Sequence, residues 1–218
     1  MAGKSLVAAI VVVFITVAAV LRFGDRYPSH PEVIEGPRSP RIEAAPMCPW
    51  REPEVDRLAF FPGSTRLQKE TRILSHQRVD LAANLGRPVA ADENALHRFL
   101  IFAEQELLGT ILTRRIKGEY GGIEIVLAVD TNAAVCGLRF QRAREPDPVM
   151  QALESPGWLA ALKGKRAHDN WELGRGVPDL PDEARESGRQ ITDGVRSLLI
   201  LLEASENSGV LPKRPHHQ

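Results

Sequence analysis

Sixteen residues near the amino terminus constrain this chain more than anything after them. From Leu6 to Leu21 it reads LVAAIVVVFITVAAVL, with Thr16 the only polar side chain. Taken from Ser5 to Phe23 the segment has 19 residues, roughly 28 Å as a helix and close to a hydrocarbon core of about 30 Å. Lys4 and Arg22 stand at its two ends, where long side chains reach the headgroups. A cleaved signal peptide is the rival reading, because Val17-Ala18-Ala19 offers small residues. The apolar run continues past those alanines to Leu21, which favours an uncleaved single-pass anchor over residues 1–23. A buried helix of a soluble domain is the third reading. Charge does not orient the segment, since Lys4 lies on one side and Arg22 and Arg26, with Asp25, on the other.

Residues 24–57 read as a tether. Seven of the sixteen prolines fall between Pro28 and Pro53. Proline removes a backbone donor and fixes φ, so neither a helix nor a central strand persists through such a stretch. Extended, semi-rigid chain is expected. Cys48 lies here as an incidental residue, and without a Cys-x-x-Cys-His there is no c-type haem attachment.

The remainder has room for one domain over residues 58–206, followed by a polar tail over 207–218. Lys and Arg together number 28 against 28 Asp and Glu, a balance that disfavours nucleic acid as a partner. Two cysteines, Cys48 and Cys136, make neither a disulfide scaffold nor a four-thiolate metal site.

Within the domain, Phe60-Phe61-Pro62-Gly63 reads as an aromatic turn. Ser75 reads as the N-cap of a helix over His76 to Leu85 with Val79, Leu81, Ala82 and Leu85 on its apolar face, ended by Gly86. Residues 97–117 fit one long helix or two strands around Glu104-Gln105-Glu106, and their aromatic and β-branched content favours strands. Ile123, Ile125, Leu127 and Val129 alternate with Glu124, Val126, Ala128 and Asp130. A polar turn at Thr131-Asn132 leads to a second run from Val135 with Cys136, Leu138 and Phe140 on one face, a β-hairpin signal. Gly118, Gly121 and Gly122 before it mark a tight approach or bulge. A short helix at Trp158 to Leu162 starts near Pro156 and stops at Gly164. Ile191, Val195, Leu198, Leu199 and Leu202 form the core stripe of a last helix from about Ser187 to Ser205. The fold class is therefore α+β, a small antiparallel sheet with packed helices behind one transmembrane helix. No Gly-x-Ser-x-Gly, His-Glu-x-x-His or Walker-type loop is present, and His30, His76, His97 and His168 are scattered.

The order of these features resembles the FMN-binding domain family. The residues that carry the resemblance are Phe60 to Gly63, Lys117-Gly118-Glu119-Tyr120-Gly121-Gly122 leading into Ile123 to Asp130, Val135 to Leu138 with Glu145, Trp158 to Lys165, and Ser187-Gly188 ahead of the terminal helix. The family includes flavin subunits of ion-translocating ferredoxin–NAD and NADH–quinone oxidoreductases. The resemblance implies an anchored α+β domain on the outer, periplasmic face of the cytoplasmic membrane, partnered by subunits of a redox complex and relaying electrons through FMN. It places cofactor contacts at Ser187, Gly188, Gln190, Thr192, Gly121, Gly122 and Glu145.

The family motif for covalent flavin resembles Asp-x-x-Ser-Gly-Ala-Thr-x-Thr, whose first threonine accepts the FMN phosphate. Ser187, Gly188 and Thr192 match it. Ala184 replaces the aspartate, Arg189 the alanine and Gln190 the acceptor threonine. An amide cannot form the phosphoester, so the resemblance implies noncovalent FMN. The alternative is a flavin-free scaffold or assembly subunit that keeps the fold. For an anion site the residues themselves offer Ser187 at a helix N-terminus with Arg185 and Arg189 beside it; the bland reading makes Ser187 a simple cap.

Overall fold

The stretch Gly122–Asp130 organises the molecule, because its apolar residues are buried on both faces at once. In the computed structural model it is β4, with every side chain from Ile123 to Val129 buried. The structure describes residues 53–207. The Leu6–Leu21 segment, most of the proline-rich tether and the terminal tail lie outside the described residues. Among the described residues no helix is long and apolar enough to cross a membrane.

In chain order the elements are α1 (Glu54–Phe60), β1 (Arg66–Ile73), α2 (Arg78–Leu85), β2 (Ala95–Ala103), β3 (Glu106–Lys117), β4, β5 (Val135–Ala143), α3 (Asp147–Leu153), α4 (Pro156–Leu162) and α5 (Asp182–Asn207). The five strands pair in sequence order, β1-β2-β3-β4-β5, and every pairing is antiparallel. The α+β architecture expected from the sequence is present, and the ambiguous residues 97–117 are the hairpin β2–β3.

The inner face of the sheet carries Leu112, Ile116, Ile123, Ile125, Leu127 and Val129 in one cluster with Ile191, Val195, Leu198, Leu199 and Leu202 of α5. Burial of each such side chain contributes about 1.5–3 kcal/mol, so the stripe read from the sequence is the main cohesive surface. Gly194 lets the helix come close, since a Cβ there would stand 2.6 Å from Ile116 Cδ1. The outer face has a smaller cluster of Phe61, Phe99, Ile101, Ile111, Val126 and Ala128, with Phe60, Leu67, Leu108 and Cys136 packed beside it.

A buried ion cluster fastens the turn before β2 and the central strand β3 to α5. Glu93 accepts hydrogen bonds from Arg87 (2.7 and 2.8 Å), Arg114 (2.9 Å), Ser197 (2.6 Å) and the Ala90 N–H (2.9 Å). Burial alone would raise the Glu93 pKa, but these donors outweigh it and hold the carboxyl far below its ordinary value.

Several sequence expectations change. Residues 54–57, read as the end of the tether, and Phe60, read as part of an aromatic turn, belong to one helix, because the tether's prolines stop at Pro53 and EVDRLAF follows without another. β1 is absent from the sequence reading; its RLQKETRI lies at the sheet edge, mostly exposed, so it carries no apolar alternation to detect. Ser75 does not cap a helix: it opens a 3-10 turn, and α2 starts at Arg78 without a side-chain cap. Leu81 and Leu85 face the core, but Val79 points to solvent. Gly86 ends α2 in the left-handed region, φ 72°, as its position suggested. Cys136 does not share a face with Leu138 and Phe140. A register shift between Ala128 and Val129 leaves Cys136 opposite no residue, and it packs with the outer cluster.

Candidate functional site

The turn between β3 and β4 is tight because Gly118 donates its N–H to the Gly121 carbonyl at 2.7 Å. That closure aims two consecutive backbone N–H groups, of Glu119 and Tyr120, away from the sheet. The Glu119 N–H donates to Ser187 Oγ at 2.9 Å, and the Tyr120 N–H to Glu145 Oε1 at 3.3 Å. Ser187 Oγ in turn donates to Glu145 Oε2 at 2.9 Å. Ser187 is 0 % exposed and Glu145 8 %. Gly118 has to be glycine, because a Cβ would lie 2.1 Å from Glu145 Oε1 and 2.7 Å from Ile123 Cδ1. Gly121 is packed against the root of the Arg144 side chain, and Gly122 pairs with Lys117 across the turn. Three parts of the chain named from the sequence, the glycine turn, Glu145 and Ser187, thus meet in one hydrogen-bonded knot.

The other named residues lie elsewhere on α5. The helix begins at Asp182, so Ser187 is its sixth residue and stands beyond the first turn. The free N–H groups of a helix belong to that first turn, so Ser187 is neither the cap nor the anion site the sequence suggested. Arg185 and Arg189, each two residues from Ser187, stand about 160° away from it around the axis, and add no charge beside it. Gly188 packs on Leu180, where a Cβ would come within 2.3 Å of Leu180 Cδ1. Gln190 Nε2 donates to Glu186 Oε1 at 2.7 Å. Thr192 Oγ1 donates back to the Arg189 carbonyl at 3.0 Å.

Thr192 borders a different feature, a cavity of about 540 Å³ lined by Trp171, Glu172, Leu173, Asp179, Arg185, Arg189, Asp193 and Arg196 as well. Trp171 is buried and donates its indole N–H to the Arg166 carbonyl at 2.9 Å. The guanidinium groups around the rim are already engaged. Arg185 pairs with Asp179 (3.1 Å) and Asp182 (2.6 Å), Arg189 with Glu186 (2.6 Å), and Arg196 donates to the Asn84 carbonyl at 3.0 Å. The hydrogen bond from Arg185 holds the Asp179 carboxyl below its ordinary range. Trp171, Asp179 and Arg196 were not picked out from the sequence. The spacing Arg185, Arg189, Thr192, Arg196 follows one helical face and was legible; Trp171 and Asp179 sit in an irregular segment with no period.

A flavin phosphate does not fit the knot. Placed at Ser187 it would face the Glu145 carboxylate at hydrogen-bond range, and the three donors there, the Ser187 hydroxyl and the Glu119 and Tyr120 N–H groups, are all used. Ala184, where the motif has aspartate, is 0 % exposed among core residues. No group of three or more His, Cys, Asp or Glu side chains among the described residues is placed to hold a metal ion. The sequence matches no protein-family model and no curated protein.

Proposed function

We propose that the chain is a flavin-free scaffold: a membrane-tethered α+β domain that binds a subunit of a membrane redox complex and carries no redox group of its own. The observation that supports this reading is the buried Ser187–Glu145 hydrogen bond at 2.9 Å. Where the resemblance puts cofactor contacts, at Ser187 and Glu145, this chain has an acidic lock made from its own residues. Gln190, without a nucleophilic oxygen, points the same way. The anchor at Leu6–Leu21 would hold the domain at the cytoplasmic membrane on its outer face, as the resemblance implies.

A second reading keeps the flavin. The cavity beside Thr192 is about 540 Å³, within the roughly 300–1,000 Å³ usual for small-molecule sites, and Trp171 supplies an aromatic wall. In that reading FMN is noncovalent, lies in this cavity and relays electrons; the cofactor supplies the redox chemistry and the protein its position. The visible spectrum of the detergent-solubilised full-length chain separates the two. A flavin band near roughly 450 nm, with FMN released into the supernatant on acid denaturation, would establish the second reading. A colourless protein that gains no such band after incubation with FMN and gel filtration supports the scaffold.

A further inference from the structure

β1 ends the sheet, and its outer edge is regular. Its register with β2 runs without a shift from Arg66 opposite Phe102 to Ile73 opposite Ala95. The strand holds no proline or glycine to interrupt a further ladder. Among the described residues no strand pairs with that edge. The far edge is treated differently. There β5 starts closed, because the Gly164 N–H donates to the Val135 carbonyl at 2.8 Å and the Val135 N–H to the Lys165 carbonyl at 2.9 Å. The phase of β1 follows from one bond, the Leu74 N–H to the Asn94 carbonyl at 2.7 Å. Bonded positions alternate in an antiparallel ladder, so Gln68, Glu70 and Arg72 turn their backbone groups to β2, and Leu67, Lys69, Thr71 and Ile73 turn theirs outward. Ile73, at the end of that edge, is 60 % exposed.

Charged side chains ordinarily blunt such an edge, but here their order complements itself. Glu70 lies on the face toward α5, where Arg98 holds it at 2.7 Å, and Arg72 stands 2.8 Å from the same carboxylate. A second copy brought up antiparallel about Thr71 sets Arg72 of each copy opposite Glu70 of the other. Those are positions without mutual backbone bonds, where side chains approach closest. Thr71 then meets Thr71, and Ile73 meets the aliphatic stem of Lys69. Other registers lose this match. An axis at Lys69, Glu70 or Arg72 sets that residue against its own like charge, and an axis at Gln68 leaves Ile73 uncovered. We infer that β1 pairs with β1 of a second copy about a twofold axis at Thr71, joining two five-stranded sheets into one. The contact is isologous, so association stops at two copies. Lys69, Thr71 and Ile73 supply about six backbone hydrogen bonds across the axis. The paired stretch falls short of the roughly 800 Å² per partner of a standard interface, so the dimer is reversible and forms as concentration rises. The inference stands whether the chain is a scaffold or a flavin protein.

The test uses the full-length, detergent-solubilised chain, with its protein mass read by light scattering over a concentration series. The parent should pass from monomer to dimer as concentration rises. Thr71→Pro removes an outward N–H and leaves the ladder to β2 intact. Arg72→Glu sets like charges opposite Glu70. Each variant should stay monomeric where the parent is dimeric, with an unchanged circular dichroism spectrum. Position is read separately, without either variant, in chains carrying Cys48→Ser and Cys136→Ala. Mild oxidation should link Thr71→Cys chains several-fold faster than Val79→Cys chains, although Val79, on α2, is 84 % exposed. In a mixture of Lys69→Cys and Ile73→Cys chains, links should form between the two kinds rather than within either. A parent that stays monomeric throughout would overturn the inference. So would a dimer that persists in both variants, or one that links at positions 71 and 79 at equal rates. Either result would put the contact elsewhere in the chain.

Discussion

Ser187 Oγ donates to Glu145 Oε2 across 2.9 Å while accepting the Glu119 N–H at the same distance. One hydroxyl on α5 thereby ties the β3–β4 turn to the segment that leaves β5, two pieces of chain 68 and 42 residues away from it. In low dielectric such a closed set of polar groups is worth keeping complete. It also leaves nothing for an external anion to bind.

Removing the hydroxyl should therefore be felt as stability. Ser187→Ala leaves the Glu119 N–H and one Glu145 oxygen buried without their partner, which costs about 1–3 kcal/mol. Urea unfolding of the detergent-solubilised chain should show a lower midpoint with an unchanged slope. If Ser187 were held ready for a ligand instead, the variant would unfold like the parent.

The glycine at the start of the turn is required by space. Gly118→Ala drives a Cβ to within 2.1 Å of Glu145 Oε1, so the knot has to open, at about 1–3 kcal/mol as for other overpacked sites. Gly63→Ala has no neighbour within 4 Å and should leave the unfolding midpoint nearly unchanged. Equal midpoints for the two variants would contradict the geometry.

Glu93 makes stability depend on pH. Its folded pKa is held far below the model-compound value of 4.5 by Arg87, Ser197, Ala90 and Arg114. A depressed carboxylate pKa contributes stability that is fully present above the unfolded value and is lost as pH falls toward the folded one. Glu93→Gln should cost about 3 kcal/mol near neutrality, as breaking a buried ion pair does. The difference from the parent should narrow as pH falls below about 4.5. A difference that stays constant down that range would assign the acid sensitivity to other carboxylates.

Trp158 carries a cost that can be relieved. Its indole Nε1 is buried with no hydrogen-bond partner among the described residues. Trp158→Phe removes that donor while retaining most of the packing, so it should be neutral or stabilising within about 1 kcal/mol. Trp158→Ala should cost about 3–5 kcal/mol by loss of packing and the cavity left behind. A Phe variant as unstable as the Ala variant would show that the indole N–H has a partner.

Local chemistry was readable in the linear chain wherever one face of an element decides its fate. The stripe Ile191, Val195, Leu198, Leu199, Leu202 identifies α5, because burial there follows the helical period; the β-branched and apolar run from Ile123 to Val129 identifies β4, although the structure buries both of its faces and not only the alternate residues. The turn at Gly118–Gly122 was visible as a cluster of glycines, and at Gly118 and Gly121 a Cβ would stand within 3 Å of a neighbour. β1 escaped notice because an edge strand has little to bury. Helix α1 escaped because its inward residues include a carboxylate, Asp56, matched to Gln141 and Arg139 more than eighty residues away in the chain. For the same reason the sequence set Ser187, Glu145 and the glycine turn on the page as separate motifs. Only the tertiary structure decided that they bind each other, since a hydrogen bond between distant residues depends on where the sheet and α5 put them, and the helix start at Asp182 places Ser187 past the first turn, where no free N–H groups remain for an anion.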